Sequence, residues 1–179
     1  MGELKDFITG RLLPDTHDER HRQRIARLLV ETKGFRRDDI HPRIPIDLKI
    51  DSRSARIRMD FVVRLHDRIA VLIKYGPGSL VTRHQVAFAA SLLLAPYGIP
   101  FSLVTNGEDA HWLDNFDRSL KGSGLDGIWD RPTLERQLPQ SPSPRVSPWQ
   151  AAMATRILMA YEVDGRCPCD DTVCDFDTR

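Results

Sequence analysis

Two adjoining stretches, RIRMDFVVRL at residues 56–65 and IAVLIKYGPG at residues 69–78, constrain the fold more than anything else in the chain. In the first, Ile57, Met59, Phe61, Val63 and Leu65 alternate with Arg56, Arg58, Asp60, Val62 and Arg64. A period of two is that of a half-buried strand, and it puts Asp60 and three arginines together on the second face. The other stretch is a short, β-branched, nearly continuous apolar run that ends in Lys74 and breaks at Gly76, Pro77 and Gly78. It reads as a buried strand with a charged exit. Only His66, Asp67 and Arg68 separate the two, so a hairpin is expected. An aspartate on one strand and a lysine at the end of the next form the skeleton of a metal-dependent phosphodiesterase. The carboxylate suits a hard divalent cation such as Mg²⁺. The lysine suits a role in orienting water or stabilising a pentacovalent transition state.

Upstream, residues 1–14 form a mixed lead-in stopped by Pro14. Thr16 or Asp15 can cap a helix through DERHRQRIARLLVETKG, with Ile25, Leu28 and Leu29 on its apolar stripe and Gly34 as its stop. With Thr16 as the cap, Glu19 takes the N3 position of a capping box. The segment FRRDDIHPRIPIDLKI combines a basic turn with a strand around Pro45 to Ile50. Its Arg36, Arg37, Arg43 and Lys49 are placed either to touch phosphates or to solvate a connection. Downstream, residues 79–96 are expected as a helix ended by Pro96, with Val81, Gln85, Phe88 and Leu92 near helical spacing. Arg83 and His84 lie about one turn from the Lys74 exit and are both placed to contact a phosphate; as a metal ligand His84 is not expected, a lone histidine on a helix surface being an ordinary one. Phe101 to Thr105 reads as a strand, Asn106 and Gly107 as a tight turn, and Ala110 to Asn115 as the partner strand.

This order of elements resembles the PD-(D/E)XK, restriction-endonuclease-like superfamily, and in particular the N-terminal nuclease domain of type I restriction enzyme R subunits. The resemblance is carried by Asp60, the hairpin, Lys74 and the segment Val104, Thr105, Asn106 and Gly107, over roughly residues 15 to 115. It implies an α/β fold with a small mixed central sheet flanked by helices. It implies that Asp60 and Glu19 hold Mg²⁺, that Lys74 positions the water, and that Gln85 orients the lysine or a phosphate. Arg56, Arg58, Arg36, Arg37 and Arg83 become contacts to nucleic acid, DNA above all. Two positions depart from the family pattern: Leu72 stands where a glutamate shares the face of the lysine, and Ala89 stands where a tyrosine follows the glutamine. The alternative reading is therefore a module that has kept the fold, lost catalysis, and binds nucleic acid or serves as a scaffold.

The net charge of +1 conceals an asymmetry. Residues 1–80 carry 17 Lys+Arg against 12 Asp+Glu, and residues 81–179 carry 9 against 13. The basic part contains the proposed site, which favours approach of a polyanion. No apolar run reaches the roughly 18 residues of a membrane span, and the start lacks the pattern of a signal peptide, so a cytoplasmic protein is expected. There is no Walker-type GxxxxGK[ST], so the expectation is either a stand-alone relative or one that works with a separate motor or specificity subunit.

Four regions are expected: a nuclease-like core at 1–116, a connection rich in Pro and Gly at 117–148, a helix packing on the core at 149–164, and a Cys/Asp-rich tail at 165–179. The helix offers Ala152, Met153, Ile157 and Tyr161 as buried candidates. In the tail, Cys167, Cys169 and Cys174 resemble the last three cluster cysteines of iron–sulfur RecB-like nucleases, but the fourth, which should precede the core, is missing. The Cys-x-Cys spacing is also tighter than zinc usually takes. Free thiols in an acidic tail are expected in preference to zinc or an iron–sulfur cluster. The alternative is a metal site completed by Asp170, Asp171 or a second subunit.

Overall fold

The alternating stretch folds as a strand, but its apolar row does not stay on one face. A computed structural model describes residues 2–165 and the strand backbone at 173–175. The chain runs β1 (Glu3–Lys5), β2 (Leu12–Pro14), α1 (His17–Arg27), β3 (Ile40–Ile50), β4 (Arg53–Leu65) and β5 (Arg68–Tyr75). It continues through α2 (Val81–Ala90), β6 (Phe101–Thr105), β7 (Ala110–Asp114), β8 (Leu120–Ser123), α3 (Arg131–Gln137), α4 (Pro148–Leu158) and β9 (Val173–Asp175). The main sheet has the order β3-β4-β5-β6-β7-β8, with β9 pairing β4 at Ala55 to Ile57. Among the described strands only β5 and β6 are parallel, and α2 supplies the crossover that parallel neighbours require. The fold is α/β with a mixed sheet flanked by helices.

Ile57 and Met59 pack with Ile46, Leu48, Leu72 and residues of α2 and α4. Phe61, Val63 and Leu65 pack instead with Ile40 and with Ile25, Ala26 and Leu29 of α1. The row expected on one face thus divides between two cores. Its cause is local. Arg43 adopts φ 56, the left-handed region, and the β3–β4 ladder skips Arg43 and Asp60. The register is the same on either side, Ile44 opposite Met59 and Pro42 opposite Phe61, so the two residues leave the pleat together and both strands change faces beyond them. Both faces are consequently buried from Met59 to Val63, and Asp60 sits at the reversal.

Thr16 caps α1, its hydroxyl accepting from Glu19 N at 3.1 Å. The lead-in is a β1–β2 hairpin turned by Asp6, whose Oδ1 accepts from Ile8 N and Thr9 N. Helix α2 is shorter than expected. After Ala90 the chain tightens into bonds three residues apart, from Leu92 N to Ala89 O and Leu93 N to Ala90 O. The expected irregular connection is corrected more substantially, since it contains β8 and α3 and buries Ile128, Leu134 and Leu138 in the α1-side core. Its prolines include a helix starter: Asp130 caps α3 and Pro132 lies in the first turn. Helix α4 begins at Ser147 with a capping box to Gln150 and ends in a wider π-type turn at Met159–Asp164. That turn buries Met159 and Glu162 and leaves Tyr161 exposed, against the expectation for Tyr161; Ala152 is exposed as well. No helix among the described residues is long and apolar enough to cross a membrane.

Candidate functional site

The reversal in β4 turns Asp60 toward α1. Asp60 is 4% exposed, and both its carboxylate oxygens are engaged. Oδ1 accepts from Arg22 Nε at 2.6 Å, and Oδ2 accepts from the Tyr75 backbone N–H at 2.7 Å. Arg22 lies one turn beyond Glu19 on α1 and also approaches Glu19 Oε2, at 3.6 Å. Its guanidinium therefore stands between the two carboxylates expected to share a metal.

Glu19 is further occupied. Its Oε1 accepts from Gln23 Nε2 at 2.7 Å and from Arg43 at 2.6 Å. The capping box anticipated at Thr16 is half made: the hydroxyl bond is present, but the Thr16 N–H goes to Pro14 O and the Glu19 carboxylate turns inward. Arg43 also donates to Asp6 Oδ2 at 2.7 Å, so this arginine braces the acids rather than facing a phosphate. Burial disfavours the charged form of Asp6, but the Thr9 backbone N–H, the Arg43 guanidinium and the Thr9 hydroxyl outweigh it and hold the carboxyl below its usual range. The result is a chain of ion pairs running Asp6, Arg43, Glu19, Arg22, Asp60, hydrogen-bonded at every link but Glu19–Arg22.

Lys74 points elsewhere. Continuing the Phe61–Ile73 register would set it opposite Asp60, yet it shares its face with Leu72, whose neighbours are α2 and α4. It is 2% exposed, and its Nζ donates to Glu162 Oε2 at 2.6 Å. Glu162, 5% exposed, comes from the turn that ends α4. The two residues of the expected catalytic pair are thus each neutralised by a different element.

A third feature joins α1 to the β6–β7 turn. His21 stacks on Tyr75 with ring centroids 5.5 Å apart, and its Nε2 lies 3.0 Å from His17 Nε2. Gly107 lies against the His21 ring with φ 90, so a side chain at Gly107 would be both strained and in collision. Burial, then the nearby Arg24 and His17, pull the His21 pKa below 6.5, against the acids Asp18 and Glu108. The Tyr75 hydroxyl donates to Asp18 at 3.2 Å, and burial with that carboxylate pushes its pKa up to about 12. His84, expected as an ordinary surface residue, is half-buried and bonds across to His111 at 2.8 Å.

The remaining expected residues scatter. Gln85 is exposed on α2. Arg36 and Arg37 are exposed at the turn before β3, Arg37 lying 4.3 Å from the Phe7 ring centroid. Arg56 pairs with Asp47 at 2.5 Å, and Arg58 is exposed. Arg83 folds back to donate to Pro77 O at 2.9 Å. Cys167, Cys169 and the side chain of Cys174 lie outside the described residues. Sequence reasoning missed Asp6, Arg22 and Glu162. Arg22 had a local signal, being three residues after Glu19 and on its side of the helix; Asp6 and Glu162 had none, because their partners are distant in the chain.

The residues present do not fit a bound Mg²⁺. The ion wants free hard oxygens, whereas both Asp60 oxygens are taken, Glu19 is braced by two cations and an amide, and Leu72 supplies no ligand. Among the described residues no three His, Cys, Asp or Glu side chains are grouped to hold a metal. A family model described as type I restriction enzyme R protein N terminus (HSDR_N) matches residues 17–128, which is more than half of the chain. That interval contains Glu19, Asp60, Lys74 and Gln85 and ends before Glu162. No curated protein and no solved structure matches the chain.

Proposed function

The chain belongs to the family of type I restriction enzyme R protein N termini, and on that premise we propose that it is a non-catalytic member that holds nucleic acid, DNA in the first place, without cutting it. The observation that carries this reading is the Arg22 guanidinium between Asp60 and Glu19. A fixed internal cation there does for the two carboxylates what a divalent ion would otherwise do, and it cannot activate water. Leu72 agrees with it, since the carboxylate missing from the motif is replaced by a core side chain.

Binding in place of cutting is supported by the basic surplus of residues 1–80 and by exposed Arg36, Arg37 and Arg58 in that part. The domain would act in the cytoplasm beside a separate motor or specificity subunit. The test incubates supercoiled and linear DNA with the protein and Mg²⁺ or Mn²⁺, and measures cleavage and binding together. We expect salt-sensitive binding and no cleavage. Metal-dependent cutting that disappears in both Asp60→Ala and Lys74→Ala would overturn the proposal in favour of a Mg²⁺ nuclease.

A further inference from the structure

Lys74 is a buried cation that donates to a carboxylate from outside the family-matched interval. Its surroundings along the chain are those of an anion site. It leads into Gly76, Pro77 and Gly78, then into α2, whose first turn has no side-chain cap and no acidic residue. An uncapped helix start presents free N–H groups and the positive end of the helix dipole. The Arg83 guanidinium packs directly against Gly76, and its buried Nε has no hydrogen-bond partner. Three cationic or donor features thus lie along the stretch from residue 74 to residue 83. One of them, Lys74, is occupied by Glu162.

We propose that Glu162 is an internal occupant of a phosphate site: the turn ending α4 lays its carboxylate on Lys74 where a backbone phosphate of nucleic acid would otherwise bind. This rests on the nucleic-acid-binding reading above and adds to it a means of control. Besides Glu162, the turn is anchored by buried Met159, by Val163 packed against the same core and by an exposed ion pair of Asp164 with Arg53. A polyanion that takes Lys74 must lift Glu162 away, so the C-terminal turn and the nucleic acid compete for one lysine.

The test compares wild type, Glu162→Gln and the double variant Lys74→Gln with Glu162→Gln for binding of a labelled DNA oligonucleotide over a series of salt concentrations. Removing the competing charge should tighten binding about tenfold and steepen the dependence of log K on log salt by about one, the signature of one more phosphate contact. The double variant should lose both changes. Equal affinity and slope in wild type and Glu162→Gln would overturn the competition while leaving DNA binding intact. Failure of both proteins to bind would overturn the competition and the DNA-binding reading together. Because Glu162→Gln leaves a buried lysine without its counter-charge, hydrogen exchange of residues 159–164 in the wild-type chain provides a reading without mutation. Added DNA should speed their exchange, and unchanged exchange on saturating DNA would refute the proposal.

Discussion

The two sides of the sheet handle buried charge in different ways. Toward α1, five groups from the β1–β2 turn, α1, β3 and β4 share their bonds, so that Asp60 and Glu19 have several partners each. Toward α4, Lys74 and Glu162 hold each other across a single bond of 2.6 Å. A network distributes the desolvation cost over many hydrogen bonds and survives the loss of one member better than an isolated pair does. The former reads as a permanent brace, the latter as a contact that can be exchanged.

That contrast is most easily broken at the pair. Glu162→Ala should cost about 3–5 kcal/mol of stability, the penalty for stranding one member of a buried ion pair. Lys74→Met combined with Glu162→Leu should recover most of it, since apolar replacement of both partners is often neutral. Urea unfolding of the three proteins checks this. Equal losses in the single and double variants would mean that the turn, not the charge, is what matters.

On the other face, Asp60→Ala should cost less, about 2–3 kcal/mol, because it strands the Tyr75 N–H and one bond of Arg22 while Glu19 still faces that arginine. Circular dichroism melts of Asp60→Ala and Asp60→Asn would separate charge from hydrogen bonding. A cost above that of Glu162→Ala would reverse the ranking of the two regions.

Arg22→Gln sharpens the comparison differently. It leaves Asp60 and Glu19 without the guanidinium between them, so Mn²⁺ should raise the melting temperature of the variant by a few degrees and leave that of wild type unchanged. A metal-dependent rise in wild type would show that the arginine yields its place.

The smallest effect expected is one of pH. His21 and His84 both titrate below their ordinary 6.5 in the folded chain, owing first to burial. The unfolded chain then binds more protons just below pH 6.5, so stability present above that pH is lost as pH falls toward the lowered folded-state values. Unfolding at pH 7.5 and 5.5 should show the loss, and His21→Gln should reduce it. An unchanged loss would assign the titration to His84.

Legibility followed sequence distance. The β4–β5 hairpin, the Thr16 cap and the Asn106–Gly107 turn depend on neighbours a few residues away, and all were readable. The Pro- and Gly-rich stretch misled because proline marks helix starts as well as breaks, and Asp130 before Pro132 was the signal that distinguishes them. Asp60 and Lys74 were recognisable as unusual charges in apolar strands, but their partners were not. Arg64 and Arg58 looked closest to Asp60 on a regular strand; Arg22 is the residue that reaches it.

By itself, the sequence determined the order of elements from α1 to β7 and the family, because hydrophobic period, caps and turns are local and the motif residues keep their spacing. Tertiary structure alone decided what the charges do. The left-handed Arg43 reverses the faces of β4, sends Phe61 and Asp60 toward α1, and leaves Lys74 on the side where the end of α4 arrives with Glu162. Whether a buried carboxylate meets a metal, an arginine or a lysine depends on which distant segment packs over it, and no pattern within one strand contains that information.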